Sequence, residues 1–274
     1  MQVYRFMDIG TAKATPAERA RVPHHLIDIV DPDEAYHAAR FVEDCVAAVA
    51  SIHGRGATPL LTGGTGLYLT AFKTGLFDAP AASPVIREEL HRIAGEEGCI
   101  ALHERLRRLD PEAAIRIHPN HSSRIIRALE VYLSTGKTIS EHLRRQAART
   151  DHPEFKRFLT IGLTCERNLL YERINERTHL LFDMGLEHEV RNLLERGYAP
   201  DLQSMQSIGY RHMVKYLMGD WSHDRCVELL ARDTRRYAKR QLTWFNRDAS
   251  IQWFDSHASD LVVDRIATYL NHSR

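Results

Sequence analysis

The chain has 274 residues, of which 43% are hydrophobic, so it can bury one large core or two smaller ones, and intrinsic disorder is excluded. The 37 Lys and Arg residues nearly balance the 36 Asp and Glu residues, and the net charge of +1 excludes nucleic-acid binding through a strong overall positive field. Scattered cysteines and short apolar runs argue against a disulfide framework, a structural zinc site and a membrane span.

A strand, a glycine turn and a helix are predicted in succession from residue 58 onward. The apolar run at 58–62 predicts the strand, and the glycines within 63–66 predict the turn. Free backbone N–H groups at the start of the following helix could bind an anion there. Glycines at this place also permit close packing of a strand and a helix. Both interpretations of the turn stay open.

Residues 78–151 are predicted to form an all-helical insertion, because Pro80, Ser83 and Pro84 open a stretch of helical periodicity. The flanking segments 1–77 and 152–274 then form a discontinuous α/β core. Inside the insertion, the STGKT sequence at 134–138 resembles the end of a P-loop, but Val131 stands where that loop needs a glycine. We therefore predict a helix that ends with Gly136 as its left-handed cap.

Strands and helices alternate again after the insertion, which predicts a parallel α/β sheet. The predicted elements are a strand at 158–163, one long helix at 166–196, a basic helix at 221–245, a strand at 251–254 and a helix at 259–270. Gly197 is predicted to end the long helix.

Arg173 and Arg177 lie four residues apart on the predicted long helix. Glu176 can pair with Arg173, whereas Arg177 has no acidic residue three or four positions away on either side. Such an arginine is a candidate ligand for a phosphate or diphosphate group. The alternative is an ordinary solvated arginine at the surface.

The predicted basic helix has positive charges at positions 232, 235, 236, 239 and 240, with aromatic residues between and after them. Within this run Asp233 alone supplies a negative charge. A solvated helix face is one interpretation. We favour the other, contact with an RNA or DNA backbone, because so unbalanced a charge is poor for an isolated helix.

Several blocks of the sequence, taken together and in order, resemble bacterial tRNA dimethylallyltransferases. They are QVYR at 2–5, MDIGTAK at 7–13, PHHLID at 23–28, GGTGLY at 63–68, RIIRALEV at 124–131, IGY at 208–210 and KRQLTW at 239–244. The resemblance covers nearly the whole chain. It implies an α/β fold with a P-loop NTPase-like parallel sheet and an all-helical insertion that binds tRNA, in a monomeric cytoplasmic enzyme.

The resemblance implies transfer of a dimethylallyl group from dimethylallyl diphosphate to N6 of the adenine 3′ of the anticodon, with Mg²⁺ as cofactor. Arg177 would bind the diphosphate. The residues implied to contact the tRNA anticodon stem-loop or to line its channel are Gln2, Thr65, Arg87, Ser123, Arg124, Arg127, Gln206, Gly209, Tyr210, Arg211, Lys239, Arg240 and Gln241.

In the family that these blocks resemble, further elements precede the QVYR block. They are a strand, a GPTxxGK[ST] phosphate loop with a Mg²⁺ ligand, a helix and an Asp-Ser pair whose Asp is the proposed general base. The printed sequence starts after that pair. We therefore expect an N-terminally truncated sheet with an open apolar edge and negligible prenyl transfer by these residues alone.

Two other functions stay open at this point. A tRNA-binding protein without catalysis would explain the basic helix in the absence of the general base. A small-molecule P-loop kinase would explain the α/β core but not the basic helix.

Overall fold

The structure is a computed structural model that describes residues 1–76, 83–147 and 157–272. The chain divides into two compact units, one formed by Met1–Leu69 with Arg157–Arg274 and the other by Thr70–Lys156. The boundaries that the sequence predicted, at 77/78 and 151/152, lie outside the described residues, and the role of the second unit as a tRNA-binding insertion stays a prediction. Within the described residues, every helix is too short or too polar to cross a membrane.

Capping and buried side chains explain the helices of the N-terminal segment. These helices are α1 (Pro16–Arg21), α2 (Ala38–Gly54) and α3 (Gly66–Thr74). Thr15 starts α1 by a capping box, in which its hydroxyl and the Glu18 carboxylate each accept the other residue's backbone N–H. On α2 the buried residues Phe41, Cys45 and Val49 recur every four positions and form its inner face.

The unit at Thr70–Lys156 has an all-helical core. Its helices beyond α3 are α4 (Pro84–Glu96), α5 (Gly98–Leu109), α6 (Pro111–Arg116), α7 (Ser122–Thr135) and α8 (Ile139–Ala147). Leucine, isoleucine and alanine side chains of α4 to α7 form one buried cluster. Asp110 caps α6 through the N–H of Ala113 and also accepts the N–H of Ser140, which ties α8 to α6.

The STGKT segment adopts the helix end that was predicted for it. Helix α7 ends at Thr135, and Gly136 follows with a φ of +68° in the left-handed region. Its N–H donates to the carbonyl of Tyr132, as in a left-handed cap. The prediction that this segment is no P-loop is confirmed.

The C-terminal segment returns to the first unit with two strands and further helices. Its elements are β1 (Thr160–Thr164), α9 (Arg167–Asp183), α10 (Leu186–Glu195), α11 (Tyr210–Leu217), α12 (His223–Phe245), β2 (Ile251–Asp255) and α13 (Ser259–Asn271). The single long helix predicted at 166–196 is wrong. Gly185 divides it with a φ of +96°, a conformation that glycine adopts without steric cost.

The described strands form a two-stranded parallel sheet in which Thr160 pairs with Ile251 and Thr164 with Asp255. The strand predicted at 58–62 is wrong: the segment is irregular, and Leu60 is 78% exposed. None of the described residues provides it with a strand partner, and a parallel strand needs neighbours and covered faces. The fold is therefore α/β but helix-rich, with a small parallel sheet.

Candidate functional site

The glycine turn at 63–66 packs directly against helix α12. Gln241 of α12 donates from Nε2 to the carbonyl oxygen of Gly64 at 2.8 Å. A Cβ on Gly64 would lie 2.0 Å from that nitrogen, and a Cβ on Gly66 would lie 2.3 Å from Cδ1 of Trp244. The missing side chains at 64 and 66 thus permit a close approach, although the partner is α12 rather than the predicted strand. The anion-binding interpretation stays a prediction.

This contact brings together two segments that the sequence analysis singled out separately. Thr65 lies exposed at the N-terminal end of α3, where its carbonyl accepts the N–H of Tyr68. Lys239 and Arg240 lie exposed on α12, and no carboxylate of the described residues pairs with either of them. The turn and the 239–244 block of α12 therefore form one surface with uncompensated positive charge, which suits a phosphate backbone.

Asp233 compensates the charge at the other end of the basic run. It accepts hydrogen bonds from Nη2 of Arg211 at 2.7 Å and from Nε of Arg232 at 3.0 Å. Burial alone would raise the pKa of the Asp233 carboxyl, but the hydrogen bonds from Arg232 and Arg211 outweigh burial and lower the pKa. Arg235 donates to Oδ1 of Asn175 on α9. The exposed positive charge is consequently concentrated toward the C-terminal half of α12.

The turn at 206–211 is anchored by buried groups. Gly209 has a φ of +98°, and the following Tyr210 is completely buried. The hydroxyl of Tyr210 donates to Glu189 on α10 at 2.6 Å. The Tyr210 ring therefore lies in the core, and Gln206 is the exposed residue of this turn. The predicted contact of the turn with tRNA stays a prediction.

Glu189 was missed by the sequence analysis, although it organises the MDIGTAK segment. Its carboxylate accepts the backbone N–H groups of Asp8 at 2.8 Å, Ile9 at 2.7 Å and Gly10 at 3.2 Å. A Cβ on Gly10 would lie 2.5 Å from the ring of Tyr210. One carboxylate therefore fixes both the N-terminal segment and the 206–211 turn.

The N-terminal segment is further tied together by Lys13, whose ammonium group is buried. It donates to the carbonyl of Tyr4 at 2.7 Å and to the carboxylates of Asp8 and Asp28 at 2.5 and 2.6 Å. Gln2, a predicted tRNA contact, donates from Nε2 to the carbonyls of residues 11 and 12. These bonds give the segment a defined conformation beside the 206–211 turn.

Arg177 lies exposed on α9, and none of the described residues forms an ion pair with it. Arg173, one turn earlier, contacts Nε2 of His257 at 2.7 Å and Oγ of Ser256 at 3.4 Å. Helix α9 packs against α12. The Arg177 guanidinium is free to bind an anion, and the diphosphate assignment stays a prediction.

The predicted tRNA contacts of the helical unit lie on α4 and α7. Ser123 and Arg124 are exposed near the start of α7. Arg87 of α4 and Arg127 of α7 both donate to Oε2 of Glu130, at 3.1 and 2.9 Å. The side chain of Glu130 is only 1% exposed. The sequence analysis missed Glu130, although its spacing of three residues from Arg127 on a helix is a recognisable pairing signal.

The described residues do not contain a preformed metal site. No group of three or more His, Cys, Asp or Glu side chains among residues 1–76, 83–147 and 157–272 is placed to hold an ion. Mg²⁺ as the cofactor stays a prediction.

We expect the free energy of unfolding to depend on pH because of the buried His212 side chain. Burial lowers the pKa of this histidine below 6.5, and the positive charge of Arg211 lowers it further, which outweighs Asp233. Below pH of about 6.5 the unfolded chain binds more protons at this position, so the stability from His212 is complete above that pH and declines as the pH falls. We expect the free energy of unfolding to decline by up to about 1.4 kcal/mol per pH unit.

Urea unfolding at a series of pH values between about 5 and 7 measures this effect. The variant His212→Gln should show a flatter dependence than the wild type. His223 lies exposed at the start of α12, so His223→Gln serves as the control and should keep the wild-type slope. An unchanged slope in His212→Gln would contradict the assignment.

Comparison with known proteins shows similarity to one family over almost the whole chain. Residues 2–248 match the family model described as IPP transferase. The chain is 49% identical over 270 residues to the tRNA dimethylallyltransferase of Desulfotalea psychrophila, which covers 98% of this chain and 85% of that protein. It is 49% identical over 267 residues to the tRNA dimethylallyltransferase of Geobacter sulfurreducens, with 97% and 85% covered.

Solved structures of similar proteins point to the same family. The full-length tRNA isopentenylpyrophosphate transferase of Bacillus halodurans superposes with a TM-score of 0.68 at 41% identity, over 99% of this chain and 84% of that one. A eukaryotic dimethylallyltransferase, studied as it acts on tRNA, superposes with a TM-score of 0.79 at 26% identity, over 99% and 71% of the two chains.

Proposed function

We propose a function that proceeds from one premise: the chain belongs to the IPP transferase family, whose members are tRNA dimethylallyltransferases. The protein transfers a dimethylallyl group from dimethylallyl diphosphate to N6 of the adenine 3′ of the tRNA anticodon, as a monomer in the cytoplasm. The observation that carries the proposal is the contact between Gly64 and Gln241, which unites the glycine turn with the exposed cations of α12.

The chemistry joins a weak amine nucleophile to a charged leaving group. The N6 amine attacks C1 of the dimethylallyl group while the bond from C1 to the diphosphate oxygen breaks. The diphosphate departs with the electron pair, and a base takes the amine proton; we assign no residue of this chain to that step. The exposed Arg177 is the proposed partner of the diphosphate, because guanidinium groups bind phosphate oxygens in a bidentate manner.

The position of the adenine within the anticodon loop also has to change before the reaction. An adenine within a stacked anticodon loop cannot present N6 to a donor, so it must leave the stack. Lys239 and Arg240 on α12 and Thr65 in the glycine turn are the proposed contacts that hold the loop during this step. Mg²⁺ is proposed to arrive with the diphosphate, since this ion is often bound through substrate phosphates and water.

The test is to incubate the 274-residue chain with dimethylallyl diphosphate, Mg²⁺ and a tRNA that has an unmodified adenine at this position. Mass spectrometry of the digested tRNA measures the modified adenine, and an anisotropy titration measures tRNA binding separately. The same tRNA with guanine in place of that adenine is the control and should bind without giving product. Failure of the chain to bind either tRNA would overturn the proposal.

Binding without product would agree with the expectation of negligible transfer by these residues alone, and with the alternative of a tRNA-binding protein without catalysis. Repeating the assay with a chain that includes the GPTxxGK[ST] segment of the family separates the two. Product in that case supports the transferase, and continued absence of product supports the non-catalytic alternative.

A further inference from the structure

We propose that Glu130 is a positioning residue that holds Arg87 and Arg127 together as a grip for a single RNA phosphate. The inference rests on the proposed function, because it takes RNA as the ligand. The family resemblance named the two arginines as tRNA contacts, but it assigned nothing to the carboxylate that joins them.

One oxygen atom sets the distance between the two guanidinium groups. Nη2 of Arg87 lies 3.1 Å from Oε2 of Glu130, and Nη1 of Arg127 lies 2.9 Å from the same atom. The two nitrogen atoms are therefore at most about 6 Å apart. Without an anion between them, two guanidinium groups at this separation would repel each other.

The exposed fractions of the three side chains fit a buried carboxylate that orients two partly exposed arginines. The Glu130 side chain is 1% exposed, while those of Arg87 and Arg127 are 48% and 35% exposed. A guanidinium has five N–H donors, and the hydrogen bonds to Glu130 leave most of them free on each arginine. The triad keeps a net charge of +1, so a phosphate diester can be bound by both arginines at once.

The second oxygen of Glu130 argues against a purely structural role. Oε1 is buried and has no hydrogen-bond partner among the residues that the structure describes. A buried carboxylate with one unsatisfied oxygen is costly, and a buried ion pair is weak evidence for stability. Its presence on α7 is accounted for if the carboxylate orients the two arginines.

The experiment measures binding of the unmodified tRNA to the full chain by fluorescence anisotropy at several KCl concentrations. The variant Glu130→Gln keeps the size of the side chain and removes its charge. It should bind about 10-fold more weakly, with a plot of log Kd against log[KCl] shallower by roughly 0.7 per lost phosphate contact. The control Glu97→Gln removes a charge from an exposed pair with Arg105 and should bind as the wild type does.

A mutant cycle separates positioning from a structural effect. Because Glu130 acts through both arginines, adding Glu130→Gln to a variant that already carries Arg87→Gln and Arg127→Gln should not weaken binding further. Additive losses, or wild-type or tighter binding by Glu130→Gln, overturn the inference. Should Glu130→Gln fail to fold in a thermal melt, wild-type binding by both Arg87→Gln and Arg127→Gln overturns it. Absence of binding by the wild type overturns the proposed function instead.

Discussion

Replacing Glu189 with glutamine should lower the free energy of unfolding by about 3 kcal/mol. The carboxylate accepts three consecutive backbone N–H groups, those of residues 8–10, and the hydroxyl of Tyr210. Each of its two oxygens accepts two of these bonds. A glutamine amide puts a donor in place of one oxygen, so two donors lose their acceptor whichever way the amide is turned. Urea unfolding near neutral pH measures the change.

The same helix offers a matched control. Glu187 of α10 pairs with Arg191 one turn later, and both side chains are well exposed. Because exposed pairs of this kind contribute little, Glu187→Gln should change the free energy of unfolding by less than about 0.5 kcal/mol. An equal effect of the two substitutions would show that the backbone contacts of Glu189 do not stabilise the fold.

Replacing Gly66 with alanine should destabilise the protein by about 2 kcal/mol, although alanine is the better helix former. Gly66 is the first residue of α3, and a Cβ there would lie between 2.3 and 2.7 Å from three atoms of the Trp244 indole. A rigid ring cannot yield as the end of a flexible side chain can, so the glycine turn and α12 must separate. Affinity for tRNA should fall with stability.

The neighbouring Gly63 isolates this effect. A Cβ on Gly63 has no atom within 4 Å, so Gly63→Ala should leave both the free energy of unfolding and the tRNA affinity near their wild-type values. Urea unfolding and anisotropy titration of the two variants give the comparison. Equal stability of Gly66→Ala and the wild type would mean that the indole moves away at little cost.

Local signals predicted the end of α7 and the bounds of α12 and α13 well, because such signals depend on a few neighbouring residues. Gly136 shows such a signal directly in the sequence, whereas the capping pair Thr15 and Glu18 is a signal of the same kind that the sequence analysis did not use. The long helix failed because an isolated glycine inside a helical pattern is often tolerated, and nothing local showed that Gly185 would adopt a left-handed conformation. The strand at 58–62 failed because a strand depends on its partners, which local sequence does not reveal.

The sequence predicted those parts of the candidate site that are marked by clustered positive charge or by glycine. The basic run and the glycine turn were both identified, but their contact through Gln241 required the fold. The buried carboxylates Glu189 and Glu130 escaped because a glutamate in a helix is usually solvated. The burial of the Tyr210 ring also required the fold, because the IGY block by itself does not show which of its side chains faces the core.

The hydrogen bonds of Glu189 also determine when the N-terminal segment can fold during synthesis of the chain. The N–H of Asp8 and its acceptor on Glu189 are 181 residues apart in the chain. At a translation rate of about 5 to 20 residues per second, the N-terminal segment waits roughly 10 to 40 s before its anchor exists. Until then these backbone donors lack the acceptor that they have in the folded protein. The MDIGTAK segment can therefore reach its final conformation only after Glu189 has been synthesised.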